Sequence, residues 1–266
     1  MRLVRLIKEL YQRPVITLNR GLGWVKFETL RKQHICIACF PKSGSTFLAR
    51  VLEKALCFKF IHYAYMGDSE HNISESRLID NLHYNTVTHL HMTATSNNRL
   101  MISRYNLKLV VQVRNIFDCL ISLRDHIRDQ AKVWPMAVVE EEFLSWDERK
   151  QFDFLIDNFV PWYIKFYVSW YTVSQSQPVY WLRYEDLMEN KYATISNLLI
   201  YHKVKFESQK LKAILDSNAK LKKGDFRYNV GISGRGREKL NNTQIERIVK
   251  FTKYYPSINF QRIGID

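Results

Sequence analysis

Short apolar runs alternate with segments of helical spacing along this 266-residue chain, and this alternation constrains the fold more than any other feature. An apolar run at 34–40 precedes helical spacing over 46–56, and a second at 107–113 precedes a helical segment over 117–127. Strands that are each followed by a helix form βαβ units and build a parallel sheet. The sequence therefore predicts an α/β fold, in which one domain over 34–266 has a central parallel sheet flanked by helices.

The remaining elements follow the same alternation. Further strands are predicted at 58–62, 86–91 and 179–183, and further helices at 192–201 and 243–254. Asn241 or Asn242 is the expected N-cap of the last helix. The glycine-containing stretch 222–238 is predicted to be a loop.

An aromatic-rich stretch over 135–171 is predicted to be helical. Pro161 is expected to begin a fresh helix within it, because proline suits the first helical position. Trp162, Phe166 and Trp170 recur at intervals of four residues, which places them on one side of a helix. Such a stripe indicates core packing rather than a ligand site.

A loop between the first strand and its helix carries the clearest chemical signal, the sequence Pro-Lys-Ser-Gly-Ser-Thr-Phe at 41–47. Backbone N–H groups and a helix N-terminus at such a junction can bind an anion. Gly44 permits a tight turn. Lys42 adds positive charge, and Ser43, Ser45 and Thr46 add hydroxyl donors. Because Lys42 precedes the glycine, the loop is not a Walker A loop, in which the lysine follows it.

A second phosphate-type segment follows the strand at 107–113. It reads Arg-Asn-Ile-Phe-Asp-Cys-Leu-Ile-Ser and runs from Arg114 to Ser122. Arginine offers a planar fork of donors to phosphate oxygens. A serine two turns along the following helix lies on the same side as the residues near the helix start. Both segments follow strands, at the edge where open α/β sheets bind ligands.

Together these segments resemble the signatures of the sulfotransferases that use 3′-phosphoadenosine 5′-phosphosulfate: Pro-Lys-[Ser/Thr]-Gly-[Ser/Thr]-[Thr/Ser], and Arg-Asn-x-x-Asp with a serine eight positions after the arginine. Two weaker similarities accompany them. Residues 183–187 resemble the family's Tyr-Glu-Asp-Leu segment. Residues 231–237 resemble its Gly-x-x-Gly region, although Asn229 and Val230 stand where the family often has a basic pair.

The resemblance implies a P-loop-NTPase-like sulfotransferase fold and transfer of a sulfuryl group to a hydroxyl or amine by in-line displacement, with no metal. It implies that Lys42 stabilises the bridging oxygen, that the loop binds the 5′-phosphate, that Arg114 and Ser122 hold the 3′-phosphate, and that Tyr184 lies near the adenine. The donor-binding residues so implied are Lys42, Ser43, Gly44, Ser45, Thr46, Phe47, Arg114, Ser122, Tyr184, Gly234, Arg235, Gly236 and Arg237.

A base for the acceptor is expected at the end of the strand at 86–91, which reads Thr-His-Leu-His over residues 88–91. Histidine is the commonest general base near neutral pH. His89 and His91 share one face of a regular strand. The Thr-His-Leu pattern favours His89, whereas the nearness of His91 to the carboxyl edge favours His91, so both stay candidates.

Net charge adds a constraint on partners, because the chain carries a formal +14 at pH 7. Eight Lys or Arg face two acids in 1–32, and fourteen face five in 202–253. Two other functions fit in part: a P-loop-type kinase, against which the lysine order argues, and a basic nucleic-acid-binding protein, for which no reading motif is present. The sequence favours a small-molecule or carbohydrate acceptor and no nucleic acid, and it leaves the oligomeric state open.

Cysteines and targeting signals add little. Cys36 and Cys39 lie three apart on a predicted strand, hence on opposite faces, which excludes a shared metal. No apolar stretch is long enough to span a membrane. A cytoplasmic protein is therefore expected. The basic segment 1–33 is expected to pack on the domain, with contact to a membrane surface as the alternative.

Overall fold

Five parallel strands form the centre of the computed structural model, which describes residues 32–65, 72–129, 137–219, 234 and 236–266. Their order across the sheet is β2-β3-β1-β4-β5. The strands are β1 (His34–Cys39), β2 (Lys59–Phe60), β3 (Thr86–Leu90), β4 (Lys108–Val113) and β5 (Tyr180–Arg183). All four neighbouring pairs run parallel, which confirms the predicted α/β fold. Residues 1–31, Arg235 and most of the expected loop at 222–238 lie outside the described residues, so the expectations for them stay predictions.

Helices connect and cover these strands. They are α1 (Ser45–Leu56), α2 (Glu75–Ile79), α3 (Ser96–Arg104), α4 (Ile116–Asp129), α5 (Glu148–Ser174), α6 (Tyr184–Glu189), α7 (Lys191–Tyr201), α8 (Ser208–Ala219), α9 (Gly236–Lys239) and α10 (Asn242–Thr252). Short 3₁₀ turns occur at Glu141–Ser145 and Gln261–Ile263. The side chain of Asn241 accepts a hydrogen bond from the N–H of Gln244 in a capping box, so Asn241, rather than Asn242, is the cap of α10.

The central strand β1 is buried along its whole length and separates two apolar layers. Ile35 and Ile37 pack on one face with residues of α1, α7 and α8. Cys36 and Ala38 pack on the other face with residues of α4, α5 and α10. Burial on both faces explains why the strand is a continuous apolar run rather than an alternating one.

The two cysteines of β1 lie in different layers, as their spacing predicts: Cys36 in one and Cys39 in the other. Both are buried free thiols. Burial raises the pKa of Cys39 to about 12 and raises that of Cys36 further. Both sulfurs are therefore protonated at neutral pH and serve as small apolar side chains.

Helix α5 differs from the prediction at Pro161. It runs unbroken from Glu148 to Ser174, and Pro161 lies inside it rather than at the start of a new helix. The neighbouring side chains Phe159, Val160 and Tyr163 are fully buried in the core, so tertiary packing keeps the helix continuous despite the missing N–H. The predicted core stripe is confirmed, since Trp162, Phe166 and Trp170 are all buried.

Candidate functional site

The loop between β1 and α1 turns sharply. Two of its residues adopt left-handed backbone conformations, Lys42 with φ of 66° and Gly44 with φ of 81°. A left-handed conformation costs little at glycine, but it is strained at lysine. Strain of this kind persists where surrounding contacts hold the backbone, and it is frequent at ligand sites.

Protein donors hold this loop through four consecutive carbonyl groups. The Ser43 hydroxyl donates to the Phe40 carbonyl at 2.7 Å, and the Tyr163 hydroxyl donates to the Pro41 carbonyl at 3.1 Å. Arg114 donates to the Lys42 carbonyl at 3.0 Å, and the Gln112 amide donates to the Ser43 carbonyl at 2.7 Å. Because the N–H and C=O of a trans peptide point in opposite directions, the N–H groups of Lys42 and Gly44 face away from these interior donors.

The N-terminus of α1 begins directly after the loop and has no acidic residue in its first turn. Its N-cap, Gly44, supplies no side-chain hydrogen bond to the helix. The first N–H groups of a helix carry partial positive charge and need acceptors. This end of α1, with the Ser45 and Thr46 hydroxyls beside it, is chemically suited to an anion.

Arg114 follows β4 and connects the loop to the second segment. It is only 7 % exposed and makes its bond to the Lys42 carbonyl through one terminal nitrogen. Its Nε is buried and has no hydrogen-bond partner among the described residues. A buried donor without an acceptor is costly, so this atom marks a place where an anionic ligand fits.

Tyr184, the first residue of α6, lies close to both the loop and Arg114. The Arg114 guanidinium sits 4.1 Å from the centre of the Tyr184 ring. A Cβ at position 44 would approach the ring to 2.9 Å, so only glycine leaves room for the tyrosine. The structure thus brings together Gly44, Arg114 and Tyr184, from three segments that are far apart in sequence.

The start of α4 is held by two residues to which the sequence analysis gave no role, although both belong to the segments it quoted. The Asn115 side chain accepts hydrogen bonds from the N–H groups of Phe117 and Asp118, at 3.0 Å and 3.4 Å, as an N-cap does. The Glu185 carboxylate accepts from the Asn115 N–H at 2.9 Å. The sequence signal for Asn115 was an asparagine directly before a helix. The contact of Glu185 had no such signal, because it depends on β4 and β5 being neighbours in the sheet. Ser122 lies buried on α4.

Asp118 is a third residue that the sequence analysis did not assign. Its carboxylate, 3 % exposed, accepts hydrogen bonds from the N–H groups of Gly234 at 2.7 Å and Gly236 at 2.8 Å. The predicted donor-binding residues Gly234 and Gly236 are therefore attached to α4. The Arg237 guanidinium lies 4.9 Å from the ring centre of Phe117 and donates to the Gly264 carbonyl at 3.2 Å. Its role in donor binding stays a prediction.

The two candidate bases have different surroundings. Their ring centres are 6.4 Å apart. His89 packs beside Phe60, whereas Nδ1 of His91 lies 3.0 Å from the Cys39 carbonyl, three residues before Lys42. A carbonyl oxygen only accepts, so Nδ1 of His91 carries the proton in this contact. Its Nε2 then holds the lone pair that a general base needs.

Other reactive groups near the site are held in their neutral forms. Burial raises the pKa of the Cys119 thiol on α4, and it raises the pKa of the Tyr163 hydroxyl well above its usual value. Neither group is therefore suited to act as a nucleophile at neutral pH. Within the described part of the chain, no cluster of three or more His, Cys, Asp or Glu has the geometry to hold a metal ion.

Comparison with known proteins gives a consistent picture. A family described as a sulfotransferase domain matches residues 32–253. Mouse sulfotransferase SULT7A1 complexed with PAP is similar in structure, with a TM-score of 0.65, 13% identity, and coverage of 89% of this chain and 92% of that one. Retinol dehydratase in complex with retinol and PAP has a TM-score of 0.55 and 14% identity, and covers 85% and 82% of the two chains.

A second structure of retinol dehydratase, with androsterone and PAP, is similar at a TM-score of 0.54 and 12% identity over the same shares of the chains. At these identities the likeness establishes the fold. No curated protein sequence matches the chain significantly. In the described ranges, no helix has the length and apolar character to cross a membrane.

Proposed function

The chain belongs to the sulfotransferase domain family, and we propose that it transfers a sulfuryl group from 3′-phosphoadenosine 5′-phosphosulfate to a hydroxyl or amine acceptor by in-line displacement. The observation that carries this proposal is the contact of Tyr184 with both Gly44 and Arg114. That contact joins the loop expected to bind the 5′-phosphate with the arginine expected to bind the 3′-phosphate.

The residues at this edge of the sheet fit such a donor. The buried Nε of Arg114 lacks a partner among the residues described, and a 3′-phosphate oxygen would satisfy it with a charge-assisted hydrogen bond. The outward N–H groups of the loop and the N-terminus of α1 suit a 5′-phosphate. PAP in the structures of mouse sulfotransferase SULT7A1 and retinol dehydratase supports the same assignment.

Two side chains supply the reactive groups in this proposal. When the donor is bound, its sulfur–oxygen bond to the 5′-phosphate is the bond that breaks, while a bond from sulfur to the acceptor forms. The role assigned to Lys42 is to neutralise, with its ammonium, the charge that develops on the bridging oxygen. Nε2 of His91 takes the proton of the acceptor, since its Nδ1 is occupied by the Cys39 carbonyl.

The acceptor class is a small molecule or a carbohydrate. Retinol and androsterone in the similar retinol dehydratase structures support a small-molecule acceptor. The positive charge of the chain suits an acidic carbohydrate. A hydroxyl or amine is required in either class, because the nucleophile must lose a proton as the new bond to sulfur forms.

The test is transfer of label from ³⁵S-labelled donor into pools of small hydroxyl compounds, amines and carbohydrates. We expect one pool to become labelled, and we expect Lys42→Ala to lower the rate at least about a hundredfold, as loss of an electrostatic stabiliser does. Lys54→Ala, at the exposed end of the same helix, is the matched control and keeps the rate. Unlabelled pools, or full activity of Lys42→Ala, contradict the proposal.

A further inference from the structure

The carboxylate of Asp118 connects two parts of the chain that are 116 residues apart. One oxygen accepts from the N–H of Gly234 and the other from the N–H of Gly236. Buried carboxylates are stable only when their charge is satisfied, and two backbone N–H donors at 2.7 Å and 2.8 Å do so here. Both oxygens are therefore used to hold this segment.

Both positions favour glycine, each for a different reason. A Cβ at position 236 would lie 2.3 Å from the carbonyl carbon of Phe117, so the two backbones are in direct contact. Gly234 has φ of 95°, a conformation that other residues rarely adopt. Gly236 thus packs directly on the first turn of α4, and the backbone N–H groups of both glycines are bound by Asp118.

The same helix carries a residue of the expected 3′-phosphate site. Asp118 and Ser122 lie four positions apart on α4, so they are neighbours on one side of the helix. Arg114 precedes α4 and is held by the Lys42 carbonyl. Asp118 therefore attaches Gly234 and Gly236 to the same element that presents Ser122.

We propose that Asp118 is a positioning residue for recognition of the donor's 3′-phosphate. It acts through the backbone of Gly234 and Gly236, which it holds beside the site of Arg114 and Ser122, and it does not itself contact the nucleotide. This inference rests on the proposed function, since it assumes a donor with a 3′-phosphate.

The experiment compares two nucleotides by calorimetry: 3′-phosphoadenosine 5′-phosphate, and adenosine 5′-phosphate, which lacks the 3′-phosphate. Asp118→Asn keeps the size of the side chain but replaces one acceptor oxygen with an NH₂ group that cannot accept. We expect this variant to bind 3′-phosphoadenosine 5′-phosphate about tenfold or more weakly. Its affinity for adenosine 5′-phosphate should stay within about twofold of the wild-type value. Gly236→Ala disturbs the same contact at its donor, the Gly236 N–H, and we expect it to cause the same selective loss of affinity.

Asp125→Asn, an isosteric change two turns further along α4, is the matched control and keeps both affinities. Because binding of adenosine 5′-phosphate reports a folded site, a variant that fails to fold loses both nucleotides and is recognised. The role of Asp118 is overturned if a folded variant loses affinity for both nucleotides equally. It is also overturned if the variant keeps its affinity for 3′-phosphoadenosine 5′-phosphate. A wild-type chain that does not prefer the 3′-phosphorylated nucleotide overturns the proposed function instead, and this inference with it.

Discussion

At the scale of single residues, the two histidines that the sequence offers as the base have different surroundings. His89 lies in β3, whereas His91 directly follows the last residue of that strand. Nδ1 of His91 lies 3.0 Å from the backbone carbonyl of Cys39. Because a carbonyl oxygen only accepts, this contact assigns the proton to Nδ1 and the lone pair to Nε2. The sequence could not provide it, because it depends on pairing between β1 and β3.

This difference makes a testable prediction. We expect His91→Ala to lower kcat by about 10²- to 10⁴-fold, the range for loss of a general base, with the donor KM changed far less. His89→Ala is the matched control and should lower kcat only a few-fold. Steady-state rates with the acceptor found by labelling measure both. A large loss in His89→Ala with activity retained in His91→Ala would reverse the assignment.

At the scale of secondary structure, prediction worked where local signals were strong. The strands β1 and β4, the helices after them and the cap of α10 were found within a few residues. The helices α2, α3 and α8 were not predicted from the sequence. Helix α3 starts with the polar sequence Ser-Asn-Asn-Arg, which gives no apolar helical pattern. Thr95 is its N-cap, and Asn98 and Met101 are its buried residues. Tertiary contacts outweigh weak propensity in such elements.

The cap of α10 provides a prediction at this scale. The side chain of Asn241 and that of Gln244 exchange hydrogen bonds with each other's backbone N–H groups. We expect Asn241→Ala to lower the free energy of unfolding by about 1 kcal/mol, the usual cost of losing such a cap. Asn242→Ala, exposed at the next position, should change it by less than about half as much. Urea denaturation measures both, and equal effects would contradict the capping role.

At the scale of the whole molecule, buried histidines link stability to pH. His34, at the start of β1, is 3 % exposed, and its Nδ1 lies 2.8 Å from the Thr86 hydroxyl, which in turn contacts the Tyr63 hydroxyl at 2.6 Å. Burial lowers the pKa of His34 from 6.5 to about 4. His202 is lowered to about 4 as well, by burial and then by the charge of Lys108.

A pKa that is lower in the folded chain means that the unfolded chain binds the proton more readily between about pH 6.5 and pH 4. The free energy of unfolding therefore falls as pH drops through this window. For His34 we expect a loss of about 2 kcal/mol between pH 7 and pH 5. His34→Asn should remove that part of the pH dependence, whereas the exposed His83→Asn should not. Urea denaturation at pH 7 and pH 5 measures the free energy of unfolding of the wild type and both variants. The same change with pH in all three proteins would contradict the role of His34.

The sequence by itself determined the succession of the five strands along the chain, the phosphate-type loop and the Arg114 segment. It could do so because each depends on residues close together in the chain, and because the carboxyl ends of parallel strands meet at one edge. Pro161 shows where local reasoning failed, since packing of its buried neighbours outweighs its preference for a helix start.

Only the tertiary structure decided how these pieces meet. It placed the Tyr184 ring against both Gly44 and Arg114, and it placed the N–H groups of Gly234 and Gly236 on the Asp118 carboxylate. These contacts join residues 70 to 140 positions apart on different elements. No local propensity specifies such pairs, because they form only when packing of the sheet and helices brings their backbones together.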